Sequence, residues 1–201
     1  MGVISNGTTL LDNGALDSGV SKGALTLIQS QTASSSANIS FTSNIDSTYK
    51  KYIFKFIDIH PATDNVNFLV NFRDGGSSYD ATKQSTSFAA YHNEAGDTED
   101  VTYEASFDLS NSTAVQPMNA GGGIGGQSDE SIAGTLVLYN PSDTTHIKHF
   151  LINTHFYNNS DYAISTHIAG YCNVTAAIDG VQFTFSSGNI DAGTIKMYGV
   201  T

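Results

Sequence analysis

Apolar side chains recur at every second position along most of this chain. Val66, Phe68, Val70 and Phe72 alternate with Asn67, Leu69, Asn71 and Arg73. Val101, Tyr103, Ala105 and Phe107 alternate with Thr102, Glu104 and Ser106, and Val181, Phe183 and Phe185 with Gln182 and Thr184. Successive side chains of a strand point to opposite faces, so each run offers one apolar face and one wet face. That pattern suits antiparallel sheets packed on one side. Tyr52–Ile57, and Phe150–Ile152 within 146–157, are apolar on both faces and read as central strands or strands at a subunit contact. Further strands are expected near 25–32, 37–42, 88–92, 132–139, 164–174 and 194–199, about ten or eleven in all.

Turn chemistry separates these runs. Asp74-Gly75-Gly76-Ser77-Ser78 reads as a hairpin loop, Asn140-Pro141-Ser142-Asp143 ends the 132–139 strand in the same way, and Ser187-Gly188-Asn189 parts the last two strands. No window of 12 residues carries a 3.6 period. A short helical turn between Asp108 and Met118 is the most helix expected. Short strands joined by turns predict an all-β fold, an antiparallel, jelly-roll-like β-sandwich over residues 23–201. Residues 1–22 hold four glycines and only brief apolar pairs, Val3-Ile4 and Leu10-Leu11. They read either as a free tail or as a short arm that orders on a partner, with those four residues docking it.

Charge limits the partners. The 201 residues carry 8 Lys and Arg against 19 Asp and Glu, a net charge of −11. One Arg and seven Lys cannot neutralise a phosphate backbone, so no nucleic-acid partner is expected. No stretch approaches 18 apolar residues, so no membrane insertion is expected. The opening MGVISNGTTLLDNG has neither a basic n-region nor an apolar h-region, which argues against a secretory signal. The single Cys172 excludes an intramolecular disulfide framework, and its apolar setting predicts a buried, inert thiol.

Several patterns resemble sites. Gly121, Gly123 and Gly126 spell G-x-G-x-x-G, but the strand before and helix after that a dinucleotide requires are missing, so a flexible loop is expected. His146 and His149 fall on opposite strand faces, and His149 and His155 lie too far apart to share a metal. Asp74 and Asp80 bracket a loop that could hold calcium, though a capped turn explains the same letters. The acidic group Asp97, Glu99, Asp100 and Glu104 reads as a solvated loop and strand face. With no G-x-S-x-G elbow and no H-E-x-x-H, the chain is not expected to be an enzyme, and no cofactor or metal is expected. The tyrosines are more informative. Tyr79, Tyr91, Tyr157 and Tyr162 fall at expected strand ends or loops, close to Asn158 and Asn159. Ordinary strand-edge tyrosines account for this, but Tyr with Asn and Ser also suits adaptable polar contacts, including sugars. The candidate ligand- or host-facing residues are therefore Tyr79, Tyr91, Tyr157, Asn158, Asn159 and Tyr162, and the loops expected to face host or solvent are 74–80, 91–100, 121–130 and 158–162.

Four stretches carry a family likeness: STYKKYIFKF at 47–56, DGGSSY at 74–79, LYNPS at 138–142 and GYCNVTAAIDGVQFTFSSGNIDAGTIKMYGV at 170–200. Over about residues 24–201 the chain resembles a module of virion structural proteins, often the C-terminal part of tail-fibre-like proteins, in bacteriophages of marine bacteria and cyanobacteria. The resemblance implies a virion location, after assembly in the host cytoplasm, among other capsid or tail proteins. It also implies a homo-oligomer, with a trimer favoured. It supplies no catalytic motif. The chain lacks the long N-terminal shaft of the fibre proteins, which brings forward a capsid decoration protein beside a tail-fibre-like binder of host surface glycan. A polysaccharide-degrading spike enzyme is the third reading.

Overall fold

The computed structural model describes residues 3–5, 8–12, 15–16 and 24–200. In chain order its strands are β1 (Val3–Ser5), β2 (Thr8–Asp12), β3 (Ala15–Leu16), β4 (Leu25–Thr32), β5 (Ile39–Phe41), β6 (Lys51–Pro61), β7 (Phe68–Arg73), β8 (Lys83–Asn93), β9 (Glu99–Tyr103), β10 (Gln116–Pro117), β11 (Ile132–Tyr139), β12 (Lys148–Tyr157), β13 (Tyr162–Cys172), β14 (Gly180–Phe185) and β15 (Ile190–Val200). An eight-stranded sheet runs β4-β15-β6-β11-β12-β13-β8-β9, and a four-stranded sheet runs β10-β7-β14-β5. The strand pairs within both are antiparallel. The chain crosses repeatedly from the small sheet to the large one, as at β5 to β6, β7 to β8, β10 to β11 and β14 to β15. The fold is thus the expected all-β sandwich. Tyr52–Ile57 and Phe150–Ile152 lie in β6 and β12, both interior strands of the large sheet.

The core fills the space between the sheets. Alternation places Phe54, Leu136, Ile152 and Ile168 side by side across β6, β11, β12 and β13, all buried. Phe183 of β14 comes down onto this layer, with ring centroids 5.6 Å from Phe54, 5.3 Å from Phe56 and 5.9 Å from Phe68. Edge-on and offset rings fill volume without stacking their negative faces.

Three local expectations are corrected. The loop after Arg73 is not a hairpin, because β7 and β8 belong to different sheets. The helical turn forms at Ala105–Phe107, ahead of the predicted window. The supposed wet face of β7 is covered: Leu69 and Asn71 are both buried, and Asn71 takes a hydrogen bond from the amine of Lys83. A polar residue on a two-sided strand was read as solvent-facing, whereas it serves a buried cation.

Of the segment 1–22, the described parts form a separate three-stranded sheet, β1-β2-β3. Val3 and Ile4 are exposed in it, and Leu11 is half-buried. Leu10 lies in β2, but its side chain falls outside the described residues, as do the remaining positions of the segment. No helix among the described residues is long and apolar enough to cross a membrane.

Candidate ligand-binding site

One inward row of the large sheet runs Ile59, Ile132, Phe156, Ile164, Tyr91 across β6, β11, β12, β13 and β8. Its first four members are buried core. Tyr91, at the end of the row, is only half-buried and meets Tyr162 edge to face, with centroids 5.9 Å apart. Around this pair opens a cavity of about 390 Å³, lined by Tyr91, Thr98, Thr102, Glu104, Gly121, Asn158, Tyr162 and Ile164.

Two hairpin ends build one wall. Asn93 closes the turn between β8 and β9: its Oδ1 accepts from the N–H groups of Asp97 and Thr98, and its amide donates to Asp97 Oδ1 at 2.6 Å. Those side-chain bonds, from Asn93 first and Thr98 second, hold the Asp97 carboxyl below its usual range. Asn158 does the same for the turn between β12 and β13, its Oδ1 accepting from Ser160 N at 3.0 Å and Tyr162 N at 2.9 Å. Glu94 N donates to Asp161 O at 3.0 Å and ties the two turns together.

The opposite wall is the glycine-rich segment. Buried Thr154 and Thr166 donate to the carbonyls of Met118 and Ala120, fastening this segment to the inner face of the sheet. Buried Asn119 accepts from Phe68 N and donates to Gly122 O. Ile124 is fully buried and bridges Val66 to Asn158. The glycines serve close packing: a Cβ on Gly123 would lie 2.1 Å from Asn65 Oδ1, and one on Gly125 would lie 2.1 Å from the Glu130 carboxylate. The loop expected to be flexible is therefore pinned on both sides.

Three of the four expected loops, 91–100, 121–130 and 158–162, meet here. Tyr91, Asn158 and Tyr162 line the cavity. Tyr157 and Asn159 flank it in sequence without lining it. The Tyr157 hydroxyl donates to Asp161 Oδ1 at 2.9 Å, and that carboxylate pushes the phenol above its usual range. Tyr79 does not join them; its ring lies under the Arg73 guanidinium, 5.9 Å from the centroid, beside the Arg73–Asp179 ion pair. Thr98, Thr102 and Glu104 line the cavity without having been singled out as ligand-facing, because only the pairing of β9 onto β8 brings them beside Tyr91, and Gly121 reaches it from the glycine-rich wall.

Two rings, two hydroxyls, an amide and one carboxylate around an open, half-apolar hollow suit a small hydroxylated ligand that presents one apolar face. A second cavity, of about 540 Å³, gathers Asp58, His60, Asp129, Glu130 and Asp191. Two of its groups are engaged locally: His60 Nε2 bonds Gln127 O at 2.9 Å, and buried Glu130 accepts from Gln127 N. Among the described residues no three His, Cys, Asp or Glu side chains are placed to hold a metal ion, and Asp74 and Asp80 form no such group. Cys172 is fully buried, and that burial pushes its thiol up to about 12. Set beside known proteins, the chain matches no protein-family model and no curated sequence.

Proposed function

We propose that this chain is a bacteriophage virion surface component, tail-fibre-like, that engages host surface glycan through the Tyr91–Tyr162 cavity. Two things support the reading. The stretches at 47–56, 74–79, 138–142 and 170–200 resemble the phage virion module. The observation that carries the ligand role is the convergence of Tyr91, Tyr162, Asn158, Thr98 and Thr102 on one hollow at the end of the sandwich. Pyranose rings have an apolar face for an aromatic ring and rim hydroxyls for amide and hydroxyl partners. Glu104 is the one carboxylate among the lining residues, whereas glycoside cleavage uses a pair flanking the bond. The role is therefore binding without turnover.

Imaging intact particles with the chain labelled tests the placement. Density at the tail tip or on fibres is the expected result. Copy numbers matching the capsid lattice would favour the decoration reading, which the separate β1-β2-β3 sheet also suits as a docking element. Release of reducing ends from host polysaccharide, abolished by one Asp or Glu substitution, would overturn the non-enzymatic reading.

A further inference from the structure

One row of the large sheet carries Lys148, Cys172 and Lys83, cross-strand partners on β12, β13 and β8. Both lysines are fully buried, and among the described residues neither is in an ion pair. A buried ammonium without a carboxylate is costly, so what each amine meets is informative. Lys148 Nζ donates to the backbone carbonyls of Asp143, His146 and Val174 at 3.0, 3.2 and 2.8 Å. Lys83 Nζ meets a side-chain amide instead. It lies 2.5 Å from Asn71 Oδ1 and 2.6 Å from Ala81 O. Asn71 is itself buried, on β7 of the small sheet, so the pair reaches from one sheet to the other.

We propose that Lys83 and Asn71 join in an intramolecular isopeptide bond, with ammonia displaced from the Asn71 side chain. The reaction needs a lone pair on nitrogen, an activated carbonyl beside it and little competing water. Burial supplies the first and the last: it lowers the Lys83 pKa to about 8 by stripping the charged form of its hydration. Cys172, Asp80 and Asp74 are the ionisable groups that act on the amine, and they pull the other way. The carbonyl is activated by Phe72 N, which donates to Asn71 Oδ1 at 3.0 Å and stabilises the oxyanion of the tetrahedral intermediate. Thr113 O accepts from Asn71 Nδ2 at 3.3 Å and from Lys83 Nζ at 3.5 Å, so it touches both nitrogens between which a proton must move. The Nζ–Cγ bond forms, the Cγ–Nδ2 bond breaks, and one proton passes from Nζ to the departing nitrogen. Ammonia leaves, and the atoms balance without an oxidant. Among the described residues no carboxylate hydrogen-bonds the pair. The step is therefore slow and follows folding, and the newly folded chain carries the free amine. Once formed, the bond closes the 72–82 connection covalently and ties the small sheet to the large one.

Peptide mapping of the full chain tests this. The wild-type protein is held folded near pH 9 for several weeks and then digested with trypsin, which cuts after Lys55, Arg73, Lys83 and Lys148 in this region. The expected product is a branched peptide, 56–73 joined to 74–148, uncut after Lys83 and lighter than its two parts by one ammonia. It is expected to build up about tenfold or more faster at pH 9 than at pH 6, where the amine is charged. Separate, unmodified peptides 56–73 and 74–83 after that time overturn the proposal. Loss of ammonia confined to 56–73, as from closure of Asn71 onto its own backbone, overturns it as well. Lys83→Met and Asn71→Ala are each expected to abolish the branched product, and its survival in either overturns the pairing. The wild-type map decides the matter even where a variant does not fold.

Discussion

Tyr91 and Tyr162 stand edge to face, 5.9 Å between centroids, although each closes a different hairpin end. The pair couples the two turns that wall the cavity. A double-mutant cycle on Tyr91→Ala and Tyr162→Ala is expected to give a coupling energy of about 1 kcal/mol in urea unfolding. Additive losses would mean that the rings act independently.

The fold's aromatic centre is Phe183, which meets Phe41, Phe54, Phe56 and Phe68. Phe183→Ala removes the ring that joins the small sheet to the large one. A loss of about 3–5 kcal/mol is expected from chemical denaturation. Phe183→Leu should recover much of it.

Lys83 supplies a pH signature. Its side chain is fully buried, with the amine donating to Asn71 Oδ1 and Ala81 O. Burial lowers its pKa from 10.5 to about 8. Above pH 8 the folded chain has released a proton that the unfolded chain still holds, so stability rises with pH by about 1 kcal/mol between pH 8 and 9. Cys172, its cross-strand neighbour, acts the other way. Its folded pKa is raised from 9 to about 12, so stability falls as the unfolded thiol ionises above pH 9. Unfolding midpoints are expected to rise to about pH 9 and then level off. Lys83→Met should remove the rise, and Cys172→Ala should extend it toward pH 10.

The glycine segment offers a test at the cavity wall. Gly123→Ala places a methyl group against Asn65, whose backbone carbon lies 2.8 Å from the added Cβ. A destabilisation of about 1–3 kcal/mol is expected by thermal unfolding. Because Ile124 bridges to Asn158, ligand binding should weaken as well.

Much of the fold was legible in the alternation itself. Leu25–Thr32 and Ile132–Tyr139 form with the expected bounds, and in the second Ile132, Leu136 and Leu138 make the one buried face that a period of two dictates. What the alternation could not tell was which sheet a strand joins. Asp74–Ser78 has hairpin letters, yet it connects two sheets, because turn residues record a change of direction and not a partner. Of the site, Tyr91, Asn158 and Tyr162 were readable as tyrosine and asparagine at hairpin ends. Thr102 and Glu104 were not, because they reach the cavity only through the register of β9 on β8. The pinning of the glycine segment was hidden for the same reason: Thr154, Thr166 and Asn65 are remote in sequence.

Calorimetric titration of purified host surface polysaccharide into the full chain bears most directly on the central claim. Saturable binding is expected for the wild type, with at least a tenfold loss in Tyr91→Ala and Tyr162→Ala and none in Tyr79→Ala. Equal heats for all four proteins, or no binding by the wild type, would contradict it.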